Sequence, residues 1–252
     1  MLLEVNDIES GYGKLTVLHG VTIHVDAGEV VSILGPNGAG KSTLMKSIAA
    51  HLQLSRGSVS LKGESLDDRS PFQVASRGVG YVPEDNNVFG EMTVLENVMV
   101  ASHCRQTADL GSAVFRTPAH HSEEERVERQ SRELLEIFHL EAFADEKAKN
   151  LPYGSQRRLE IARAMATLPR LLLLDEPAAG MNPQEARQLM DLIRWVRDRF
   201  EMAILLVEHN MKVVMGVCET VHVLDYGATI AVGSPAEIQR NPKVIEAYLG
   251  GA

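Results

Sequence analysis

The stretch GPNGAGKST, Gly35 to Thr43, has the residue types and spacing of a loop that cradles phosphates. Gly35, Gly40, Lys41 and Ser42 fill the pattern G-x-x-x-x-G-K-[ST], with Pro36, Asn37, Gly38 and Ala39 between the glycines and Thr43 directly after. The glycines let the backbone wrap the β- and γ-phosphates closely, where side chains would block both the approach and the dihedrals. Lys41 then brings a point charge to the transferred phosphoryl group, and the Ser42 hydroxyl can ligate Mg²⁺. A second stretch, LLLLDE, is an apolar run that ends in Asp175-Glu176. Asp175 is placed to hold Mg²⁺, directly or through water, and Glu176 to polarise an attacking water. Successive side chains of a strand turn opposite ways, so two adjacent acids can take different tasks. His209 follows another apolar run, in LLVEHN, at a strand end where ligands gather in nucleotide-binding sheets; taken alone, a single histidine is more often structural. A third feature is the glycine turn Pro152-Tyr153-Gly154-Ser155 before a polar helix start, an arrangement that binds an anion on backbone N–H groups. One chain therefore carries two phosphate-binding features far apart in sequence.

These residues need a scaffold, and the hydrophobic pattern describes one. EVVSILG (29–35), RLLLLDE (170–176) and MAILLVEH (202–209) are continuous apolar runs, as parallel strands buried on both faces require. VTIHVDAGE and GSVSLKG alternate instead, with Val21, Ile23, Val25, Val59 and Leu61 on one side, and predict half-buried antiparallel strands. After the phosphate loop, Leu44, Met45, Ile48, Ala49 and Leu52 share one helix face, which aims the positive helix end at the phosphates. Helix starts are predicted at Ser70-Pro71 with Gln73, Thr93 with Glu96, Ser122 with Glu125, and Asn182-Pro183 with Glu185. Residues 91 to 165 show helical periods without a convincing strand; Val127, Leu134, Leu135 and Phe138 would share a face there. The run HCRQTADLGSAVFRTPAHHSEEE reads as a mobile connector. The expected architecture is an α/β core, an antiparallel patch near the N-terminus and an inserted helical subdomain.

Composition narrows the function classes. The chain has 252 residues, 44% hydrophobic and 23% charged, which suits a globular protein with a substantial core. Its net charge of −9 argues against binding nucleic-acid backbone, so no nucleic-acid partner is expected. Cys104 and Cys218 fit no metal or redox spacing, which points to a reducing, cytosolic setting. No stretch reaches the length of a membrane span, and MLLEVNDIES carries charge too early for a signal peptide.

The order GPNGAGKST, LPYGSQRRLEIARA, LLLLDEP, AAGMNP and VEHN resembles the nucleotide-binding subunit of an ATP-binding cassette (ABC) transporter, over essentially the whole chain. The resemblance implies a P-loop NTPase of ABC type: one domain over 1–252, with a mixed parallel core sheet and N-terminal antiparallel β-subdomain in 1–90 and 166–252, and a helical subdomain in 91–165. It implies ATP and Mg²⁺ as ligands. In that family the glycine-turn signature closes over the ATP of a partner subunit, so each chain holds two half-sites at a dimer interface. Carried over, Tyr12 would stack on adenine, residues Gly35 to Thr43 would hold the phosphates, and Asp175 would serve the metal. Glu176 would be the general base, His209 would sense the γ-phosphate, and Tyr153, Gly154, Ser155 and Gln156 would face the partner's nucleotide. Ala178 to Asn182 sits where the family's dimer-contact loop follows the base.

The sequence departs from the family pattern in three ways. Pro152 and Tyr153 replace the serine and first glycine of Leu-Ser-Gly-Gly-Gln, which loses a hydroxyl contact and leaves Ser155 as a substitute donor. Glu84 stands where most members have a glutamine that touches the metal or the water; it keeps an oxygen for Mg²⁺ and adds negative charge near the γ-phosphate. Asn182 stands in place of an aspartate as a neutral hydrogen-bonding group. LPYGSQRRLEIARA, DEPAAGMNP, VLDYG and NPKVIEAYLG look like one of the two ATPase subunits of branched-chain amino-acid uptake systems, whereas GYGKLTVLHGV and YVPEDNNVF look like the other, so the sequence mixes the two.

The resemblance thus predicts a cytoplasmic ATPase motor, peripheral on the inner face of the cell membrane. It would pair with a second ATPase subunit, the same chain or a homologue, and dock on integral-membrane permease subunits, meeting a solute-binding protein only indirectly. VFGEMTVLENVMV would supply either permease-facing surface or a buried face of the helical subdomain, two readings of equal weight. The alternative function is a non-transport or regulatory ABC ATPase acting on a macromolecular assembly.

Overall fold

A computed structural model describes residues 1–85, 87–102, 118–209 and 211–249. The chain divides into two compact units, Met1–Glu84 with Arg170–Ala252, and Asp85–Pro169. The divides fall at 84/85 and 169/170, against the 90/91 and 165/166 drawn from the sequence.

The first unit contains two sheets. One is antiparallel, in the order β2-β1-β4-β5, built from β1 (Leu3–Tyr12), β2 (Leu15–Val25), β4 (Leu54–Leu61) and β5 (Glu64–Ser65). Val5 pairs with Ile23 on one side and Val59 on the other, which aligns the apolar alternation across three strands. The second sheet has the order β10-β9-β3-β8-β7-β6, from β3 (Val30–Leu34), β6 (Val79–Val82), β7 (Leu171–Asp175), β8 (Ala203–Val207), β9 (Thr220–Asp225) and β10 (Ala228–Gly233). Its strands run parallel except β10, which pairs antiparallel with β9. Every residue of β3, β7 and β8 is buried, as their unbroken apolar runs predict.

The loop after β3 leads into α1 (Lys41–Ile48), whose Leu44, Met45 and Ile48 join Val5 and Ile23 of one sheet and Ile33, Leu173 and Leu205 of the other in a single apolar cluster. Completing this unit are α2 (Pro71–Ser76), α6 (Pro183–Phe200), α7 (Met211–Val217), α8 (Pro235–Arg240) and α9 (Pro242–Leu249). The starts at Ser70 and Asn182 are both capping boxes; the Asn182 amide oxygen accepts from Gln184 N and Glu185 N at 2.9 Å each. In this structure the neutral side chain that replaces the usual aspartate is therefore used as a helix cap.

Strand β9 carries a histidine among its buried apolar residues. His222 is 6% exposed, and its Nδ1 has no hydrogen-bond partner among the described residues. Burial, helped by nearby His24, pushes its imidazole down to about 4. The unfolded chain takes up this proton near 6.5, so stability is unaffected above that pH and falls as pH drops from there towards 4. The fall approaches about 3 kcal/mol, and His222→Leu should remove one proton's worth of slope from stability measured by urea unfolding across this window. Equal slopes in both proteins would show that His222 is protonated in the native state.

The second unit is helical, with α3 (Val94–Ser102), α4 (Pro118–Ile137) and α5 (Tyr153–Ala166) joined by 3₁₀ turns at Glu141–Phe143 and Ala148–Asn150. Thr93 and Glu96 exchange backbone-to-side-chain bonds of 2.7 and 3.1 Å at the start of α3. Val127, Leu134, Leu135 and Phe138 are all buried. The expected start at Ser122 is wrong: α4 begins at Pro118 and runs through it. Proline is tolerated in a first helical turn, and the Glu-rich run after Ser122 favours helix over connector. The rest of the expected connector, 103–117, lies outside the described residues. In VFGEMTVLENVMV, Val94, Leu95 and Val98 are buried while Phe89, Met92 and Val100 are exposed, so the segment divides between the two readings.

Candidate active site

The phosphate loop is shaped by positions where only glycine fits. Gly35 has φ +152°, and a Cβ there would lie 2.2 Å from the Leu224 carbonyl oxygen. Gly40, the N-cap residue of α1, is left-handed with φ +99°, and a Cβ on it would meet Leu18 Cδ2 at 2.9 Å. Gly38 is also left-handed, while Pro36, Asn37 and Ala39 complete the turn. Thr43 is buried in the first turn of α1.

Lys41, only 7% exposed, donates from Nζ to the carbonyls of Gly35 at 2.9 Å and Pro36 at 3.1 Å. Burial lowers its pKa, opposed by the carboxylates of Glu176, Asp175 and Glu84. One cation is thus the electrostatic meeting point of three acids, one from the end of β6 and two from the end of β7. Asp175 is 1% exposed; burial raises its pKa, a hydrogen bond with the Ser42 side chain lowers it, and Glu84 and Glu176 raise it further. A divalent cation would reverse that upward push. The donors are oxygens, and no group of three or more His, Cys, Asp or Glu among the described residues could hold a metal alone. Ser42 and Asp175, with Glu84 exposed nearby, therefore fit a Mg²⁺ that takes its remaining ligands from water and phosphate.

Glu176 sits just past β7 in a left-handed conformation, φ 46°, with its N–H bound to Val207 O at 3.0 Å. That residue ends β8, the strand that leads to His209, whose Nδ1 lies 3.2 Å from Glu176 Oε2. Adjacent parallel strands thus bring together an acid and a histidine widely separated in sequence. Tyr12 stands exposed at the tip of the β1–β2 hairpin.

The glycine turn belongs to the helical unit. Tyr153, Gly154, Ser155 and Gln156 form the first turn of α5, behind an N-cap, Pro152, that supplies no side-chain cap. Tyr153 is exposed, Ser155 N binds Pro152 O at 2.9 Å, and the Gln156 side chain donates to Leu151 O at 2.9 Å. Three residues missed from the sequence lie along this helix. Arg157 Nη1 meets Glu160 Oε2 at 2.7 Å in a pair 2% and 4% exposed, and Glu160 Oε1 accepts Asn87 N at 2.5 Å. Arg163 donates to Asn87 O and stacks over the Phe89 ring at 4.5 Å. Also missed are Glu208, whose carboxylate accepts Ala178 N at 3.3 Å, and Tyr248, whose hydroxyl accepts Gly35 N at 3.0 Å. Glu208 is in view inside VEHN; Tyr248 has no local signal.

A family model described as ABC transporter matches residues 18–179, from the second strand through the carboxylate pair. The chain belongs to the ABC transporter family. A second ABC model, described as Branched-chain amino acid ATP-binding cassette transporter, matches residues 228–252. The chain is 40% identical over 251 residues to the high-affinity branched-chain amino acid transport ATP-binding protein BraF of Pseudomonas aeruginosa, covering 100% of this chain and 98% of that one. To its counterpart LivG of Escherichia coli K12 it is 39% identical, with the same coverage. Among solved structures, the ADP conformation of MJ1267, an ATP-binding cassette of an ABC transporter, superposes with a TM-score of 0.85 at 31% identity, covering 99% of this chain and 98% of that one. The expected fold class is correct: an α/β ABC ATPase domain with a mixed sheet and an antiparallel sheet. Like the ATP-binding subunits of its family, the chain is an ATPase coupled to transport. No helix among the described residues is long and apolar enough to cross a membrane.

Proposed function

We propose that this ABC subunit drives uptake of branched-chain or other hydrophobic amino acids, working as a pair of ATPase subunits against separate permease subunits on the inner face of the membrane. The observation that carries this reading is full-length likeness to the branched-chain amino acid transport ATP-binding proteins, over a chain whose phosphate loop, carboxylate pair and histidine share one unit.

In this proposal Gly35 to Thr43 bind the ATP phosphates through backbone N–H groups, and Lys41 leaves its own loop carbonyls to meet the γ-phosphate. Tyr12 stacks on adenine. Ser42, Asp175 and Glu84 would hold Mg²⁺, which would neutralise the charge on the phosphate oxygens. Glu176 takes a proton from the attacking water at one carboxylate oxygen, and His209 holds the other in place at Nδ1 while meeting the γ-phosphate. The first turn of α5, Tyr153 to Gln156, covers the nucleotide of the partner subunit with the backbone N–H groups at its start and with side-chain donors, since Ser155 N and Gln156 N are bonded to Pro152 O and the Ser155 hydroxyl stands in for the missing serine. ATP binding closes the two subunits head to tail and hydrolysis reopens them. The solute-binding protein meets the permease and not this chain.

Uptake of radiolabelled leucine tests this reading. Cells deleted for the chain should lose high-affinity uptake, regain it with the wild-type chain, and fail to regain it with Glu176→Gln. Uptake that survives the deletion unchanged would overturn the solute class.

A further inference from the structure

We infer that Tyr248, on the C-terminal helix α9, is a positioning residue for the phosphate loop, holding the N–H of Gly35 through its hydroxyl. The inference rests on the ATPase reading and adds to it a residue 213 positions downstream of the loop it serves.

The loop is held from outside by a small number of contacts. Gly35 lies flush against the Leu224 carbonyl, and Ala39 O accepts the N–H of Gly227 at 3.0 Å, so the β9–β10 hairpin frames the loop at two points. Between the loop and α9, however, a cavity of about 710 Å³ opens, lined by Pro36, Asn37 and Gly38 on one side and Tyr226, Lys243 and Glu246 on the other. Val244 of α9 packs in one apolar cluster with Leu34, and beyond that cluster the loop edge faces the cavity. The Tyr248 hydroxyl crosses to that edge and accepts from Gly35 N at 3.0 Å. Gly35 is where the chain leaves β3 and enters the loop, in a conformation open only to glycine, and glycine is also the residue with the most freedom to leave it. An N–H fixed there sets the direction in which the following N–H groups point before any nucleotide arrives. Such a contact acts on binding more than on the chemical step.

Tyr248→Phe in the full chain tests this, because it keeps the ring and deletes only the acceptor. The Kd for ATP, read by displacement of a fluorescent ATP analogue, and the KM should rise about 2- to 10-fold, the range of one neutral hydrogen bond, while kcat at saturating ATP stays within about twofold. Exchange of the Gly35 amide hydrogen in the nucleotide-free chain, followed by NMR, should quicken by a similar factor. Unchanged Kd with unchanged exchange overturns the inference. So does a lowered Tm with unchanged Kd, which makes Tyr248 a packing residue only. The exchange readout needs no nucleotide, so the two failures are distinguishable: a wild-type chain that bound no ATP would defeat the ATPase reading, whereas unchanged exchange and Kd in a variant of an ATP-binding chain defeat only the role of Tyr248.

Discussion

Replacing Glu176 by Gln is expected to lower kcat for ATP hydrolysis by about 10²- to 10⁴-fold, the range that a general base contributes, while leaving ATP binding intact. The change is nearly isosteric, so the left-handed turn at φ 46° and the N–H bond to Val207 are kept. Lost is the carboxylate oxygen that could accept a proton from water. The amide that takes its place can still lie beside His209 Nδ1, 3.2 Å from Oε2 in the native chain, so the neighbouring strand end is not disturbed. Because the arrested protein should accumulate with ATP bound, its mass in solution, compared with and without ATP, reads the second half of the proposal. A nucleotide-dependent dimer is expected from one gene product, closed by the first turn of α5 despite Pro152. A fall in kcat below about tenfold would remove Glu176 as the base. A stable monomer with ATP bound would instead mean that a different subunit supplies the second half of the site.

Arg157→Met is expected to be the most destabilising single change in the helical unit, by about 3–5 kcal/mol. The pair with Glu160 is 2% and 4% exposed, so deleting the guanidinium leaves a carboxylate in a place where water cannot solvate it. Glu160 cannot turn away, since its other oxygen receives the N–H of Asn87 at 2.5 Å. For a chain of this size the loss corresponds to a fall in Tm of about 6–20 °C. Adding Glu160→Gln to the same protein should recover much of it, because the amide keeps an acceptor for Asn87 without a charge. Calorimetry on the single and double variants checks both claims; equal destabilisation in the two would show that the lost packing of Arg157, and not the stranded charge, sets the cost.

Where a residue type is dictated by backbone geometry or by charge chemistry, the sequence discloses it. Gly35 and Gly40 are readable as loop residues because no other side chain fits beside Leu224 O and Leu18. The buried strands β3, β7 and β8 are readable because burial on both faces forces an unbroken apolar run. By contrast β6 is four residues long and β9 carries His222 in its middle, so neither stands out from its surroundings. The start of α4 is misplaced from sequence because Ser122 and Glu125 imitate a capping pair inside a helix already begun. Tyr248 and the Arg157–Glu160–Asn87 set are invisible for another reason. The bonds Gly35 N–Tyr248 and Asn87 N–Glu160 each join a backbone N–H to a side chain far away in sequence, and the Arg157–Glu160 pair, three residues apart on one helix, reads as an ordinary surface pair until the tertiary fold buries it.

The strand order also has a consequence for synthesis of the chain. β3, which delivers the phosphate loop, has β8 and β9 as its two neighbours, and both lie beyond residue 200. A ribosome making about 5–20 residues per second must therefore work for roughly 10–30 s after β3 emerges before either flank of that strand can be paired. The helical unit, contiguous from Asp85 to Pro169, is fully translated within that interval. The nascent chain thus holds its ATP loop on an unpaired apolar strand until the last quarter of translation, the interval in which a chaperone would be most needed.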